Sequence, residues 1–439
     1  MRVVVVGAGF AGLGAAAQLR AAGCDVVVVE GGHRPGGRVR TVRDAFVGGQ
    51  YSESGAEWVD DIHSRLLGLL DRYGIGLLGT GDQWTIIRRW LHRHGQLLSP
   101  EQMREADPAL DEQFERFDAI VLAATDGVLD PARPHLHPNA AAIDARSVAD
   151  VVAEAGCGEI ASLFARRDAQ GEFASEPSQV SLLFVAQQRA HERDAAAGRA
   201  VTAYRVDGGF SQVAQHLADE LGDIVTYGEM LTAVEQDADG VTVTTSTRVL
   251  HADHVVLACS LVPLRSVAFH DPMPSLLHRA VHELGYGTVT KTSVQWSSRE
   301  WPQGYATTDS RLQRVYEPTS AQQGDTGILM SYCGGDGGHE WARMGDAERV
   351  LSIAEGMRDM HHLTADVVGG YSRAWSTQPR FGGSYATYQP GQVTTFWDVL
   401  RQPWGRVHLA GEHVATCTGY IEGALESGET VATRLITAG

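Results

Sequence analysis

The chain has 439 residues, 43% hydrophobic and 21% charged, an ordinary globular composition with room for two or three domains at roughly 150 residues each. Acidic residues outnumber basic ones by 54 to 36, for a net charge of −18, which argues against nucleic acid as a partner because no basic surface would displace phosphate counterions. Five cysteines without a CxxC pair exclude a disulfide framework and a zinc ribbon, and no run of about 18–20 uncharged apolar residues predicts a membrane span.

Residues 2–6 (Arg-Val-Val-Val-Val) are a β-branched run suited to a buried parallel strand. Gly7-Ala-Gly-Phe-Ala-Gly12 follows and opens an alanine-rich helix that ends at Gly23. A second strand, Val26–Val29, closes on Glu30. A GxGxxG alone is a weak signal; between a strand and a helix, with an acidic residue ending the next strand, it predicts a dinucleotide site. Gly7 permits the tight turn, Gly9 lets the backbone approach a pyrophosphate at the helix N-terminus, and Gly12 lets helix and strand pack closely. Glu30 is placed to bind ribose hydroxyls. Next comes Arg34-Pro-Gly-Gly-Arg-Val-Arg40, a glycine pair (Gly36, Gly37) followed by Arg38, suited to a chain crossing a phosphate or ring carbonyl.

Residues 59–75 read as helical, and most of 100–200 as helices broken near 130–138 and at Gly171. Residues 204–211 introduce a helix to Leu221. Short strands are predicted at 224–226, 231–236 and 241–245, and a buried parallel strand at 253–259. The strand predicted at 287–296 carries Lys291, the only lysine in a chain with 35 arginines. Such a bias commonly reflects genome composition. Val407–Ala410 reads as a strand, followed by Gly411-Glu412-His413 and a terminal helix from about Tyr420.

The N-terminal block, Lys291 on its strand, and the Gly-Glu-His … Gly419-Tyr-Ile-Glu-Gly423 block occur in the order found in the flavin-dependent amine oxidase family, which the chain resembles over nearly its whole length. That family includes monoamine, polyamine and L-amino-acid oxidases. The resemblance is weakest at residues 80–200. It implies an α/β fold with a Rossmann-type FAD-binding domain (1–75, 205–285, 400–439) interleaved with a sheet-and-helix substrate domain (76–204, 286–399). Gly382-Gly-Ser-Tyr-Ala-Thr-Tyr-Gln-Pro-Gly391 is similar to the segment that carries the covalent flavin cysteine in monoamine oxidases, with Ser384 in the cysteine's place. A hydroxyl cannot supply the thioether, so the implied FAD is non-covalent.

By the same resemblance Tyr385 and Tyr420 form an aromatic cage for the amine, and Lys291 reaches the flavin through a water and favours reaction with molecular oxygen. Glu412 stands near the flavin's ribityl and phosphate region, Trp375 beside the flavin, and Ile421 offers a backbone N–H to its O2 edge. Two departures bear on the cofactor. The family's second arginine after the ribose-binding acid is here Gly31-Gly32, which shifts pyrophosphate contacts to Arg34 or the backbone; the family's Pro-Val near the adenine is Glu229-Met230, with Met230 keeping a backbone contact. Glu57, in Gly55-Ala-Glu-Trp58, resembles a polyamine-oxidase segment and either holds a polar substrate group or braces a loop.

The implied reaction is oxidation of an amine to an imine, hydrolysis of the imine, and reduction of oxygen to hydrogen peroxide in the cytoplasm. Three alternatives remain open at this stage. An L-amino-acid oxidase would need an arginine for the carboxylate, with Arg314 and Arg380 as candidates. The others are a tailoring oxidase of a complex amine or amide, and a C–C desaturase of the phytoene or protoporphyrinogen type. No metal-ligand spacing, catalytic triad or dedicated general base is read from the sequence, and it carries no code for oligomeric state.

Overall fold

The computed structural model describes residues 1–83 and 89–438. Its organising element is a five-stranded, all-parallel sheet in the order Val225–Tyr227, Asp25–Glu30, Arg2–Val6, His254–Leu257, Val407–Leu409. The valines of the central strand alternate between two cores: Val3 and Val5 face the helices Phe10–Ala21, Ser211–Leu221 and Ile421–Ala438, while Val4 and Val6 face a small sheet of strands from 231 to 269. A strand buried on both faces has no polar side to alternate, which is why it reads as an unbroken valine run.

The second module is a seven-stranded sheet in the order Val367–Ala374, Val289–Trp296, Gly327–Gly334, Arg314–Tyr316, Tyr305–Thr308, Arg89–Arg93, Gln96–Leu98. Every side chain of Val289–Trp296 is buried, because the strand is central and covered on one side by the helices Gly335–Ala342 and Asp346–His361. Six helices between Pro100 and Ala196 form the rest of this module. Thr202–Val206 joins the two parts of the chain by pairing antiparallel with both Val59–Asp60 and Leu77–Gln83.

That last strand departs from the sequence reading, which treats Tyr204 as the lead-in to a helix. The helix expected over 59–75 is shorter, Ser64–Arg72, because Val59–Asp60 is taken into the same small sheet. Among the described residues no helix is long and apolar enough to cross a membrane.

Candidate active site

Parallel α/β sheets bind ligands at the C-terminal ends of their strands. Here those ends carry Gly7, Glu30, Ala258 and Gly411, and all four line one cavity of about 1000 Å³. Gly7 sits at φ +109°, where a Cβ would lie 2.7 Å from the Ala258 carbonyl oxygen, and a Cβ on Gly12 would lie 1.9 Å from the Gly7 carbonyl oxygen. Both positions therefore require glycine. A Cβ on Gly9 would meet nothing within 4 Å, so this turn presents bare backbone to the open cavity. The Glu30 carboxylate accepts from the N–H of Ala8 at 2.8 Å and of Gly32 at 2.6 Å, tying the glycine turn to the next loop while its remaining lone pairs face the cavity.

Arg38 and Glu412 form an ion pair on the cavity wall, with Arg38 Nη1 2.9 Å from Glu412 Oε1. Glu412 also accepts from the N–H of Ala386 at 3.2 Å and of Gly419 at 3.0 Å. It thereby fastens the Tyr385 segment and the start of the terminal helix to each other. Ile421 opens that helix at the cavity wall, where first-turn N–H groups have no intrahelical acceptor. Trp375 is buried, with its indole N–H donating to the Ser54 carbonyl at 2.7 Å.

Beyond this cradle the cavity opens into an aromatic chamber. The Tyr385 and Tyr332 hydroxyls lie 2.9 Å apart and both lie against the Gly171 carbonyl, Tyr332 at 3.2 Å, so one phenol donates to that carbonyl and the other donates either to it or to its neighbour. Burial, then the neighbouring Tyr332 and Tyr420, push the Tyr385 phenol well above its ordinary range, so it stays protonated. Tyr420 is 41% exposed, and that exposure is to the cavity it lines. A Cβ on Gly419 would touch the Tyr385 ring at 3.3 Å, so the glycine lets the two tyrosine segments close together.

Lys291 lies under the chamber, 3% exposed, directly across the sheet from Tyr332. Its ammonium donates to Glu57 Oε2 at 2.8 Å and to the Gly55 carbonyl at 3.1 Å, leaving one of three donors for the cavity. The same Oε2 accepts from Tyr316 OH at 2.7 Å, and Oε1 accepts from Arg205 Nε at 2.9 Å. Burial alone would push the Glu57 carboxyl up; Lys291 and Arg205 outweigh it and hold it down at about 2. Arg205 is itself sandwiched, 3.9 Å from the centroid of the Trp58 ring. Two cations thus share one buried carboxylate, with Arg205 12% exposed and Lys291 keeping one donor toward the cavity.

The family pattern for flavin containing amine oxidoreductases matches residues 10–436. The chain belongs to that family. It is 27% identical to an L-amino acid dehydrogenase of Synechocystis sp. over 462 residues, covering 99% of this chain and 94% of the relative. It is also 27% identical to flavin-containing amine oxidase A of Bos taurus over 461 residues, covering 99% and 85%. In fold it is similar to cyclohexylamine oxidase from Brevibacterium oxydans (TM-score 0.86, 24% identity, 100% and 99% covered) and to wild-type putrescine oxidase bound to putrescine (0.85, 22%, 100% and 99%).

An amine oxidoreductase of this family carries a flavin, and the cradle fits one: a bare glycine turn, a carboxylate at the second strand end, a guanidinium on the wall and a helix start all converge on one cavity. The structure brings together Gly7, Gly9, Glu30, Gly37, Arg38, Trp375, Gly411, Glu412 and Ile421 around the cradle, and Lys291, Tyr385 and Tyr420 around the chamber.

Three expectations are corrected. Arg34 does not reach the cavity; its guanidinium donates to the carbonyls of Pro35, Gly37 and Val39, because the glycine pair wraps the loop around it. Arg380, read as a candidate for a substrate carboxylate, lies at the opposite end. Its guanidinium carbon would be 3.3 Å from a Cβ on Gly32, so it covers the double glycine Gly31-Gly32. Met230 has its N–H on Ser246 Oγ at 3.2 Å and its carbonyl on the Ser246 N–H at 2.7 Å, leaving the thioether beside Gly31 as its cavity-facing part.

Of the two roles open to Glu57, the bracing one matches the geometry, since both its oxygens are occupied by protein donors. Sequence reasoning missed Tyr316, Tyr332 and Arg205. Register across the seven-stranded sheet brings Tyr316 and Tyr332 to Lys291, and Arg205 comes from a strand of the separate three-stranded sheet.

Proposed function

We propose that this chain is a FAD-dependent amine oxidase that holds its flavin without a covalent bond, oxidises a C–N single bond to an imine that water hydrolyses, and passes electrons to oxygen to give hydrogen peroxide. The observation that carries the reading is the continuity of one cavity from the glycine-turn cradle to the chamber formed by Tyr385, Tyr420 and buried Lys291. Bound flavin supplies the redox chemistry, accepting a hydride from the carbon next to nitrogen and giving the electrons to oxygen. The chain's residues do the rest. Paired aromatic faces favour an amine nitrogen between them and keep bulk water away. Lys291, ion-paired with Glu57, contributes a positive charge that favours reaction with oxygen.

Ser384 in place of the thioether cysteine supports non-covalent binding, and five unpaired cysteines are in keeping with a reducing cytoplasm. Release of peroxide on a panel of primary amines tests the function, and yellow colour freed into the supernatant on acid denaturation tests the attachment. Reduction of dyes without peroxide would replace the oxidase by a dehydrogenase.

A second reading, an L-amino-acid oxidase, rests on Arg314. It lines the chamber, paired with Asp168, and its guanidinium packs on Gly171, whose carbonyl faces the Tyr385 and Tyr332 hydroxyls. An α-carboxylate could displace Asp168 there. Turnover of L-amino acids but not of the matching amines would favour this reading.

A further inference from the structure

A second charged feature lies on the Tyr420 side of the chamber. Asp60 ends the strand Val59–Asp60, and its side chain is 14% exposed, into the cavity. Among the described residues nothing donates a hydrogen bond to its carboxylate. His63, 2% exposed, is its nearest partner, with Nε2 at 3.6 Å from Oδ2, too far for a hydrogen bond. The imidazole also brings the carboxylate no charge. The Asp60 N–H donates to His63 Nδ1 at 3.0 Å, so Nδ1 is an acceptor and the ring is neutral. Burial and the neighbouring His191 hold His63 down at about 4, in agreement with that assignment.

The cations nearby are already engaged. Arg199 pairs with Asp61 at 2.6 Å, and Arg189 pairs with Glu192 at 3.3 Å. The groups facing Asp60 are thus the neutral His63 and the phenol of Tyr420, with the carboxylates of Asp61 and Glu192 farther out. Burial, Glu192 and Asp61 together push the Asp60 carboxyl up to about 7. The His63 ring lies 5.2 Å from the Tyr420 ring, so the carboxylate stands one imidazole away from the aromatic face proposed to hold the reacting nitrogen.

A mostly buried carboxylate with no cation and no donor, open to a ligand cavity, either takes up a proton or is matched by a charge that the ligand brings. We propose that Asp60 anchors a second cationic group on the substrate, so that the preferred substrates are alkyl chains with an ammonium or guanidinium at the end remote from the oxidised nitrogen. The inference rests on the amine oxidase reading for the position of the reacting nitrogen. The remote cation could belong to a diamine or to a diamino acid, and the test separates the two.

Holoenzyme reduced with dithionite binds amines without turning them over, so affinity can be read by calorimetry. The probes are diamines from butane-1,4-diamine to octane-1,8-diamine, each against the monoamine of the same length, and L-lysine against L-norleucine. The wild-type protein should prefer the dicationic member by at least tenfold in one of these arms. Preference in the diamine arm identifies a diamine, and preference in the amino-acid arm a diamino acid. Asp60→Asn should bring the ratio to about one and Asp60→Glu should keep it. Equal affinities in both arms for the wild type, or an undiminished ratio in Asp60→Asn, would overturn the proposal. Peroxide release from the same compounds in air is scored separately: a dication preference without any turnover would leave the Asp60 subsite standing and remove the oxidase reading.

Discussion

Tyr385 and Tyr420, the tyrosines proposed to form the cage, differ in what else they hold. Tyr385 shares the Gly171 carbonyl with Tyr332, so its removal strands buried polar groups as well as taking away a ring. Tyr420 has no hydrogen-bond partner for its hydroxyl among the described residues and faces the cavity, so Tyr420→Leu isolates the aromatic face. That variant should keep its flavin and lose about 1–2 kcal/mol in kcat/KM on the preferred amine, measured by steady-state peroxide release. The opposite pattern is expected at Glu57. Glu57→Gln leaves Lys291 and Arg205 buried without their counter-charge, which costs about 3–5 kcal/mol by analogy with broken buried pairs. Its melting temperature should drop by several degrees, with KM for the amine less affected than stability. A change confined to KM would return Glu57 to the role of substrate contact.

Among the elements, the glycine-turn helix Phe10–Ala21 and the terminal helix Ile421–Ala438 cross in close contact, and glycine makes the crossing possible. A Cβ on Gly428 would lie 2.2 Å from the Ala11 carbonyl oxygen, a backbone atom that cannot swing aside. Gly428→Ala should therefore destabilise the protein by about 1–3 kcal/mol. Because the same helix presents Ile421 to the cradle, flavin occupancy at a fixed FAD concentration should fall with it, as read by the absorbance ratio of flavin to protein. These helices and the strands between them were legible in the sequence because the signals are local: a valine run, three glycines at set spacing and an acid at a strand end. The loop after them was only partly legible. Sequence shows that Arg34 and Arg38 flank a glycine pair, but not that the backbone folds around the first and leaves the second facing the cavity. The chamber was less legible still. Lys291, Tyr332, Tyr316 and Arg205 meet through antiparallel register and the Thr202–Val206 pairing, and neither leaves a short-range trace.

At the scale of the whole molecule, buried histidines govern the response to acid. Burial holds His63, His361, His408 and His413 down at about 4, against an unfolded value of about 6.5. Each stays neutral in the fold, so its contribution to stability is complete above pH 6.5 and is lost as the pH falls from there toward 4. Glu53 and Asp60, pushed up to about 7 by burial, act in the opposite sense: the fold favours their protonated form, and they recover stability over the same descent. Removing one histidine should thus make the acid limb shallower. His408, which faces His254 with 3.3 Å between ring nitrogens, lies away from the cavity and is the cleanest choice. The melting temperature of His408→Gln should decline less between pH 6.5 and pH 4 than that of the wild type.

The single lysine has one more consequence. Hydrolysis of an imine from a primary amine releases a carbonyl compound, and aldehydes condense readily with exposed ε-amino groups. This chain offers them none: its only side-chain amine is 3% exposed and bound to Glu57, and every other basic side chain is an arginine or a histidine. Its side chains are therefore protected from Schiff-base formation by such a product. Prolonged turnover, followed by borohydride reduction and mass spectrometry, should leave Lys291 unmodified, while a lysine-rich bystander protein in the same tube acquires adducts.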